Sequence, residues 1–224
     1  MMNFKDCITV INFDTKPENQ RYVAMFPNIL RCGIFGPSGG GKSNLLLTIL
    51  MYIKEFKAIY LCSKTAFQDK YKILHELIDS YNKNKTKQKI KFVTLIPNNL
   101  PEPEELENDS VIIFDDILTE NQNKIANFFL RGRHKNISCF YLSQSYTKIP
   151  KKSGIRENFN YLILFRQDLV NLRQIYTEYA NDLTFEKFRN FCNTCWSEPY
   201  GFIVIDVEGK YKYKKKFEYC LKTI

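Results

Sequence analysis

The sequence predicts an α/β fold in which helices cover both faces of a mostly parallel sheet. Apolar runs of strand length recur along the chain with helical patterns between them, which is the order that produces parallel sheets. A glycine-rich loop at residues 36–43 joins one such run to a helix. A later run, at residues 111–114, ends in two aspartates, as a buried strand does when it delivers acids to the ligand-binding edge of a sheet.

The predicted strands are short apolar runs bounded by polar or turn-forming residues. They lie at residues 7–13, 29–35, 57–63, 91–96, 111–116, 138–142, 161–165 and 201–207. We interpret the last of these as a late edge strand. Residues 210–216 alternate tyrosine with lysine, and we interpret them as a solvated edge in preference to a contact with a phosphate backbone.

Helices are predicted where apolar residues recur with a spacing of three or four. One helix runs from the glycine-rich loop to about residue 56, and another covers residues 168–179. Two more have apolar faces, made of Tyr71, Leu74, Leu77, Ile78 and Tyr81 in the first and of Ile125, Phe128, Phe129 and Leu130 in the second, at residues 121–130.

The length of 224 residues suits one α/β domain with a sizeable core. We expect a single domain over residues 1–224, with 1–28 as an extended lead-in and 196–224 as C-terminal edge strands. The apolar runs are too short to span a bilayer and the start lacks a signal-peptide pattern, so we expect no membrane span and reduced thiols. Cys192 and Cys195 form one C-x-x-C pair, which we interpret as packing because no second pair completes a zinc site.

The formal net charge is +9, from 33 lysines and arginines against 24 aspartates and glutamates. Such an excess favours a polyanionic partner. A lysine-rich solvated surface gives the same number, so the charge by itself does not choose between them. Residues 82–91 are strongly basic and are predicted to form an exposed loop.

The glycine-rich loop fits the pattern G-x-x-x-x-G-K-[ST] at every fixed position. The residues predicted to contact nucleotide are Gly36, Pro37, Ser38, Gly39, Gly40, Gly41, Lys42, Ser43 and Asn44. Glycines let successive backbone N–H groups turn inward onto phosphate oxygens, and the helix that begins here adds its positive dipole end. Lys42 is predicted to reach the β- and γ-phosphates and Ser43 to bind Mg²⁺. The flanking strand and helix argue against a chance turn, so the sequence predicts a nucleoside triphosphate site.

Two aspartates and one glutamine are predicted at the ends of later strands. Asp115 is placed to hold Mg²⁺, directly or through water. Asp116 is the candidate that orients the attacking water or accepts its proton. An aspartate that caps a strand end or a helix start is the alternative for this pair. Gln144, after the strand at 138–142, is predicted to sense the γ-phosphate or position the water, and an ordinary polar strand end is its alternative.

The sequence also helps to choose among phosphate-loop proteins. It contains no N-K-x-D motif, so the guanine-reading element of regulatory GTPases is missing. Paired carboxylates after one strand and a glutamine after the next suit an ATPase that carries its own catalytic acid. We therefore favour an ATPase that turns hydrolysis into movement over a small-molecule kinase.

The order of several motifs is similar to that of a known family. The motifs are residues 36–43 (GPSGGGKS), 114–116 (FDD), 131–138 (RGRHKNIS), 141–145 (YLSQS), 149–151 (IPK) and 155–158 (IREN). Together they resemble the poxvirus-type genome-packaging ATPases of large DNA viruses, virophages and related elements, within the FtsK–HerA superfamily. The resemblance runs from Leu30 to about Phe165.

The resemblance implies a ring, usually a hexamer, that encircles double-stranded DNA and drives it into a preformed capsid, with a capsid or vertex protein as partner. It implies action in the host-cell cytoplasm or viral factory, or with the virion. Asp115 corresponds to the Walker-B acid, and Asp116 stands where many members have glutamate. Gln144 matches the superfamily glutamine, and Arg133, with Arg131 as the second candidate, resembles an arginine finger that reaches a neighbour's site.

The expected mechanism is hydrolysis of ATP by an in-line water positioned by Asp116 and activated by a neighbour's arginine. The basic segments 148–156 and 83–91 are the candidates that contact DNA phosphates. Two other functions stay open from the sequence. One is a kinase of a small substrate, and the other is a nucleotide-binding assembly or scaffold protein with little turnover.

Overall fold

The computed structural model describes residues 26–52, 56–83, 89–209 and 212–219. The predicted strand at residues 7–13 lies outside these ranges. Parts of the basic stretches at 82–91 and 210–216 do so as well. No helix within the described ranges is both long and apolar enough to cross a bilayer.

The described residues form nine strands and five α-helices. The strands are β1 (Arg31–Phe35), β2 (Ala58–Ser63), β3 (Lys91–Leu95), β4 (Ser110–Asp115), β5 (Ser138–Ser143), β6 (Tyr161–Leu164), β7 (Ile203–Asp206), β8 (Tyr213–Lys215) and β9 (Glu218–Tyr219). The helices are α1 (Lys42–Tyr52), α2 (Asp69–Lys83), α3 (Gln122–Arg131), α4 (Leu169–Tyr179) and α5 (Phe185–Cys195).

All nine strands of the described ranges belong to one sheet, in the order β3-β2-β4-β5-β1-β6-β7-β8-β9. Strands β1 to β6 pair in parallel, and β7, β8 and β9 extend the sheet in antiparallel fashion. An α-helix follows β1, β2 and β4 and leads to the next strand, as in βαβ units. The predicted mostly parallel sheet is confirmed.

Helices cover both faces of this sheet because successive strand side chains alternate between two cores. On β4, Ile112 and Phe114 belong to the core that includes residues of α3, α4 and α5. Val111 and Ile113 belong to the other core, with residues of α1 and α2. A central strand buried on both faces explains why residues 111–114 are apolar without interruption.

The carboxyl ends of β4, β5 and β1 lie side by side at one edge of the sheet. Phe35 is level with Ser143 in the β1–β5 pair, and Asp115 is level with Leu142 in the β4–β5 pair. The segments that follow these three strands therefore begin next to one another. This is the edge at which open α/β sheets bind their ligands.

Two predicted helix faces are wrong in part. On α2, Tyr71, Leu74 and Ile78 are buried, whereas Leu77 and Tyr81 are 48% and 46% exposed. On α3, Leu130 is 46% exposed. An amphipathic helix buries only the stripe that faces the sheet, and these three side chains lie beyond its border.

The predictions of an edge strand at residues 201–207 and of a solvated edge at residues 210–216 are also wrong. Strand β7 lies between β6 and β8, so it is not an edge strand. On β8, Tyr213 and Lys214 are buried, and the Lys214 ammonium donates to Asp206 Oδ2 at 2.6 Å. Burial of the lysine is tolerated because its charge is paired.

Helix α5 is an element that the sequence pattern did not predict. Thr184 caps it by accepting from the backbone N–H of Lys187. Cys192 and Cys195 lie on this helix and are buried in the core. Burial raises the pKa of the Cys192 thiol, which makes it a weak nucleophile and fits a packing role for the pair.

Candidate nucleotide site

The glycine-rich loop connects β1 to α1, and α1 begins at Lys42. Gly39 and Gly41 have φ angles of 71° and 99°, a region that residues with a Cβ rarely adopt. Gly36 is needed for a different reason, since a Cβ there would lie 2.6 Å from Phe165 Cβ. The glycines therefore permit both the turn and the close approach of the chain after β6.

The Lys42 ammonium lies across the loop. Its Nζ donates to the carbonyl oxygens of Gly36 at 2.7 Å and Pro37 at 2.8 Å. Burial lowers the pKa of Lys42, and the nearby Asp115 carboxylate opposes that change. The structure thus holds a cation where the loop's N–H groups and the start of α1 also favour negative charge.

Asp115 ends β4 and is buried. Its Oδ2 accepts from Lys70 Nζ at 2.9 Å and from the Tyr71 hydroxyl at 2.5 Å. Lys70 Nζ also donates to Ser43 Oγ at 2.9 Å. Burial and the Asp115 charge raise the pKa of Tyr71, so the phenol keeps its proton and acts as a donor.

Ser43 and Asp115 together could hold a divalent cation. One cationic atom, Lys70 Nζ, already lies within 2.9 Å of an oxygen from each, so the space and the charge suit a positive ion. Hydroxyl and carboxylate oxygens are the ligands that Mg²⁺ prefers, and phosphates and water usually complete its octahedron. Over the described ranges, no group of three or more His, Cys, Asp or Glu residues forms a metal centre made of protein alone.

Asp116 differs from Asp115 in its exposure to solvent and in its backbone conformation. It is exposed, and its φ angle is 56°. Left-handed backbone is uncommon for a residue with a Cβ, and Asp and Asn are among the few that tolerate it. The turn at Asp116 places a solvent-accessible carboxylate directly after the buried one.

Gln144 and Asn44 are also at this edge of the sheet. Gln144 is exposed and follows β5, which lies between β4 and β1. The backbone N–H of Gly36 donates to Ser143 O at 3.2 Å, which ties the glycine-rich loop to the end of β5. Asn44 is exposed in the first turn of α1. The structure therefore brings residues 36–44, Asp115, Asp116 and Gln144 to one edge.

Four residues that lie at the site were not predicted from the sequence to belong to it. They are Lys70, Tyr71, Phe165 and Tyr200. A Cβ on Gly41 would lie 3.4 Å from the Tyr200 ring and 3.5 Å from the Phe165 ring. Tyr200 is 72% exposed and has a φ angle of 55°. The apolar stripe of α2 marked Tyr71 as buried, but no local signal links any of the four to the glycine-rich loop.

The two candidate finger arginines lie away from this edge. Both precede β5, at the amino ends of the parallel strands, because residue 139 of β5 is level with Arg31 of β1. Arg131 pairs with Glu102 at 2.5 Å and with Glu104 at 3.2 Å. Arg133 is exposed and lines a cavity of about 440 Å³ with Arg31 and Asn160. The structure does not bring either arginine to the glycine-rich loop of its own chain.

The basic segment 148–156 divides into two parts. Lys148, Lys151 and Lys152 are exposed. Arg156 is buried, and its guanidinium donates to Thr147 O, pairs with Glu178 at 3.3 Å and stacks 4.8 Å from the Tyr146 ring centre. The expectation that Arg156 belongs to a DNA-contacting surface is wrong, since its charge is used to fix the chain after β5 to α4.

Comparison with known proteins gives one family and a set of structural neighbours. The family model described as Poxvirus A32 protein matches residues 20–182. The genome packaging NTPase B204 from Sulfolobus turreted icosahedral virus 2, in complex with ATP-gammaS, has 14% identity and a TM-score of 0.54, over 84% of this chain and 97% of its own. B204, the DNA-packaging ATPase from Sulfolobus turreted icosahedral virus, has 16% identity and a TM-score of 0.56, over 84% and 96%. At these identities the likeness confirms the predicted P-loop fold. No curated protein sequence matches.

Proposed function

This chain belongs to the Poxvirus A32 protein family, as its motifs predicted, and we propose that it is an ATP-hydrolysing motor that moves double-stranded viral DNA into a preformed capsid. The structural neighbours support this, because B204 is described as a genome packaging NTPase and was solved with ATP-gammaS and AMPPCP. The proposed place of action is the infected cell, in the host cytoplasm or the viral factory.

The observation that carries the proposal is the convergence of the phosphate loop, two unlike carboxylates and a glutamine at one sheet edge. Lys42 and the loop's N–H groups bind the β- and γ-phosphates of ATP. Ser43 and Asp115 are the proposed ligands of Mg²⁺, which when bound neutralises charge on those phosphates. A scaffold protein needs nucleotide binding alone, whereas this edge also holds an accessible acid.

The chemical step is assigned to Asp116 and Gln144. Asp116 orients a water for in-line attack on the γ-phosphorus and accepts its proton, a role that suits its exposed position. Gln144 contacts the γ-phosphate or the same water from the neighbouring strand end. Because phosphoryl transfer depends mainly on positioning and charge, polar side chains at the ends of strands suit these two roles.

Turnover is proposed to require a neighbouring subunit. Arg133 is exposed at the amino edge of the sheet, opposite the phosphate loop, so it serves a nucleotide only in another copy of the chain. Arg131 is less suited because Glu102 and Glu104 already hold it. A finger of this kind raises turnover by about 10³- to 10⁵-fold in other P-loop enzymes. A closed ring, with six subunits as the expected number, provides such head-to-tail contacts.

Contact with DNA is assigned to exposed lysines. Lys148, Lys151 and Lys152 lie within eight residues after Gln144, so a change at the nucleotide reaches them through a short stretch of chain. Lysines bind phosphates without reading sequence, and such binding weakens steeply with salt. The proposed partners are therefore double-stranded DNA of any sequence and a capsid or vertex protein.

The test is the rate of ATP hydrolysis as a function of protein concentration, with and without double-stranded DNA, at low and moderate salt. The motor predicts a rate per subunit that rises with concentration and with DNA and falls with salt. A rate that is flat in concentration and indifferent to DNA would contradict a finger supplied by a neighbour and favour a small-substrate kinase. Tight ATP binding without hydrolysis in any condition would favour the scaffold.

A further inference from the structure

One lysine of the nucleotide site has no role in the function proposed above. Lys70 lies in the first turn of α2, and its side chain is 25% exposed. Its ammonium donates to Ser43 Oγ and to Asp115 Oδ2, both at 2.9 Å. It therefore bridges the two side chains that are proposed to hold Mg²⁺.

A metal ion and this ammonium require the same oxygens. Mg²⁺ binds oxygen at about 2.1 Å and needs a lone pair of each ligand. The ammonium directs its protons at Ser43 Oγ and Asp115 Oδ2 from 2.9 Å, so its nitrogen and a metal bound to the same two oxygens would be adjacent cations. Their repulsion at such a short distance is strong in a partly buried site.

The other groups of the site do not relieve this conflict. Lys42 Nζ donates to the carbonyls of Gly36 and Pro37, and its positive charge lies near that of Lys70. The Tyr71 hydroxyl donates to the same Oδ2 of Asp115 that Lys70 uses, so that oxygen already has two donors. A metal that binds this same oxygen competes with both donors, and Lys70 is the one that is partly exposed and carries the opposing charge.

We propose that Lys70 competes with the Mg²⁺ of Mg·ATP for Ser43 and Asp115, so that binding of the metal–nucleotide complex draws Lys70 off these side chains. The inference rests on the proposed function, since it concerns the same site. Lys70 then sets the Mg²⁺ concentration at which ATP is bound in its metal form, and its release couples occupancy of the site to the start of α2.

The test is a Mg²⁺ titration of binding, with a fluorescent ATP analogue and the full chain, in the wild type and in Lys70→Met. Methionine keeps the helix preference of lysine, is unbranched and one atom shorter, and removes the charge. The Mg²⁺ midpoint of Lys70→Met is expected to fall by about tenfold to a hundredfold, the loss of a hydrogen-bonded charge. Lys72→Met is the matched control, because Lys72 is on the same helix and pairs with Asp69 at the surface, and its midpoint is expected to stay unchanged.

A double-variant cycle makes the assignment specific. In an Asp115→Asn background the carboxylate that both cations require is gone, so Lys70→Met is expected to shift the midpoint little or not at all. Lys70→Gln repeats the test with a shorter polar side chain if the methionine variant loses its cooperative thermal unfolding.

Other results would overturn the competition. An unchanged midpoint in Lys70→Met would show that displacement of the ammonium does not reduce the affinity for Mg²⁺. A raised midpoint with weaker binding would make Lys70 a phosphate ligand that acts with the metal. A wild type that binds no nucleotide at any Mg²⁺ concentration would instead refute the proposed function, so the two failures are distinguishable.

Discussion

Adjacent residues 115 and 116 show how position alone separates two chemically identical side chains. Asp115 is the last residue of a buried strand and is held by Lys70 and Tyr71. Asp116 is one residue further, exposed and in left-handed backbone. A carboxylate that is fixed by donors suits a metal ligand, whereas a carboxylate that meets solvent suits a base for water.

The first prediction concerns the substitution Asp116→Asn. Asparagine tolerates left-handed backbone as aspartate does, so fold and ATP affinity are expected to be unchanged. Loss of the base is expected to lower the hydrolysis rate by about 10²- to 10⁴-fold. Steady-state ATPase assays and nucleotide-binding titrations on the same preparation measure both quantities.

Asp109→Asn is the matched control for that variant. Asp109 also has a positive φ angle, of 61°, but it precedes β4 and pairs with Lys57, away from the phosphate loop. Its substitution is expected to leave the hydrolysis rate within about twofold of the wild type, because Asp109 lies at the opposite end of β4 from Asp116. Equal rates for Asp116→Asn and the wild type would remove Asp116 from the chemical step.

The second prediction concerns Gly41, whose φ angle of 99° excludes ordinary side chains. Gly41→Ala is expected to lower the free energy of unfolding by about 1–3 kcal/mol and to weaken ATP binding, because the loop relaxes away from its phosphate-binding shape. Gly132→Ala is the control, since a Cβ there meets neighbours at 3.4 Å or more without positive φ. Thermal unfolding and nucleotide titration test both, and equal effects of the two variants would contradict the backbone argument.

At the scale of elements, the local motifs could be predicted from sequence and the contacts between distant elements could not. Residues 36–43 and 111–116 have signatures that are complete within a few residues, so their strand, loop and helix contexts were predicted. Lys70 could not be assigned to the site, because its role depends on how α2 packs beside the end of β4. Strand β8 was predicted to be a solvated edge because the partner of Lys214, Asp206, is on β7 and is not apparent from the local sequence.

The third prediction tests the buried ion pair between Lys214 and Asp206. Lys214→Met leaves the Asp206 carboxylate buried without its partner, and the free energy of unfolding is expected to fall by about 3–5 kcal/mol. The double variant Lys214→Met, Asp206→Asn is expected to recover much of the loss, because no unpaired charge is then buried. Urea denaturation measures these differences.

Lys215→Met is the control on the same strand. Lys215 pairs with Glu198 near the surface, and exposed pairs of this kind contribute about 0–1 kcal/mol. If Lys215→Met destabilised the chain as much as Lys214→Met, the burial of Lys214 would not be the cause, and the loss would belong to β8 as a whole.

For the whole molecule, the sheet itself separates the phosphate loop from Arg133. The parallel strands run between them, and a strand such as β1, Arg31–Phe35, extends about 3.3 Å per residue. Arg133 and the phosphate loop of the same chain are therefore separated by about the length of one strand. The family resemblance predicted a finger for a neighbour, and the topology supplies a physical reason why a role within one chain is unsuitable.

The fourth prediction uses two inactive variants to test whether the site is shared between subunits. Arg133→Ala keeps an intact phosphate loop, and Lys42→Ala keeps an intact Arg133, so each alone is expected to lose most hydrolysis. In an equal mixture, some interfaces join the phosphate loop of an Arg133→Ala subunit to Arg133 of a Lys42→Ala subunit. Such an interface contains both groups that hydrolysis requires. Random assembly then restores about a quarter of the wild-type rate, because one interface in four has that pairing.

Arg131→Ala is the control for this experiment, because Arg131 is held by Glu102 and Glu104 and its loss is expected to lower the rate much less. Mixing has to be done under conditions where the wild type shows a concentration-dependent rate, since only then do subunits exchange contacts. A mixture whose rate equals the mean of its separate components would mean that no arginine crosses the interface. The opposite edges of the sheet would then serve separate functions, and Arg133 would be a surface charge beside the cavity that it shares with Arg31 and Asn160.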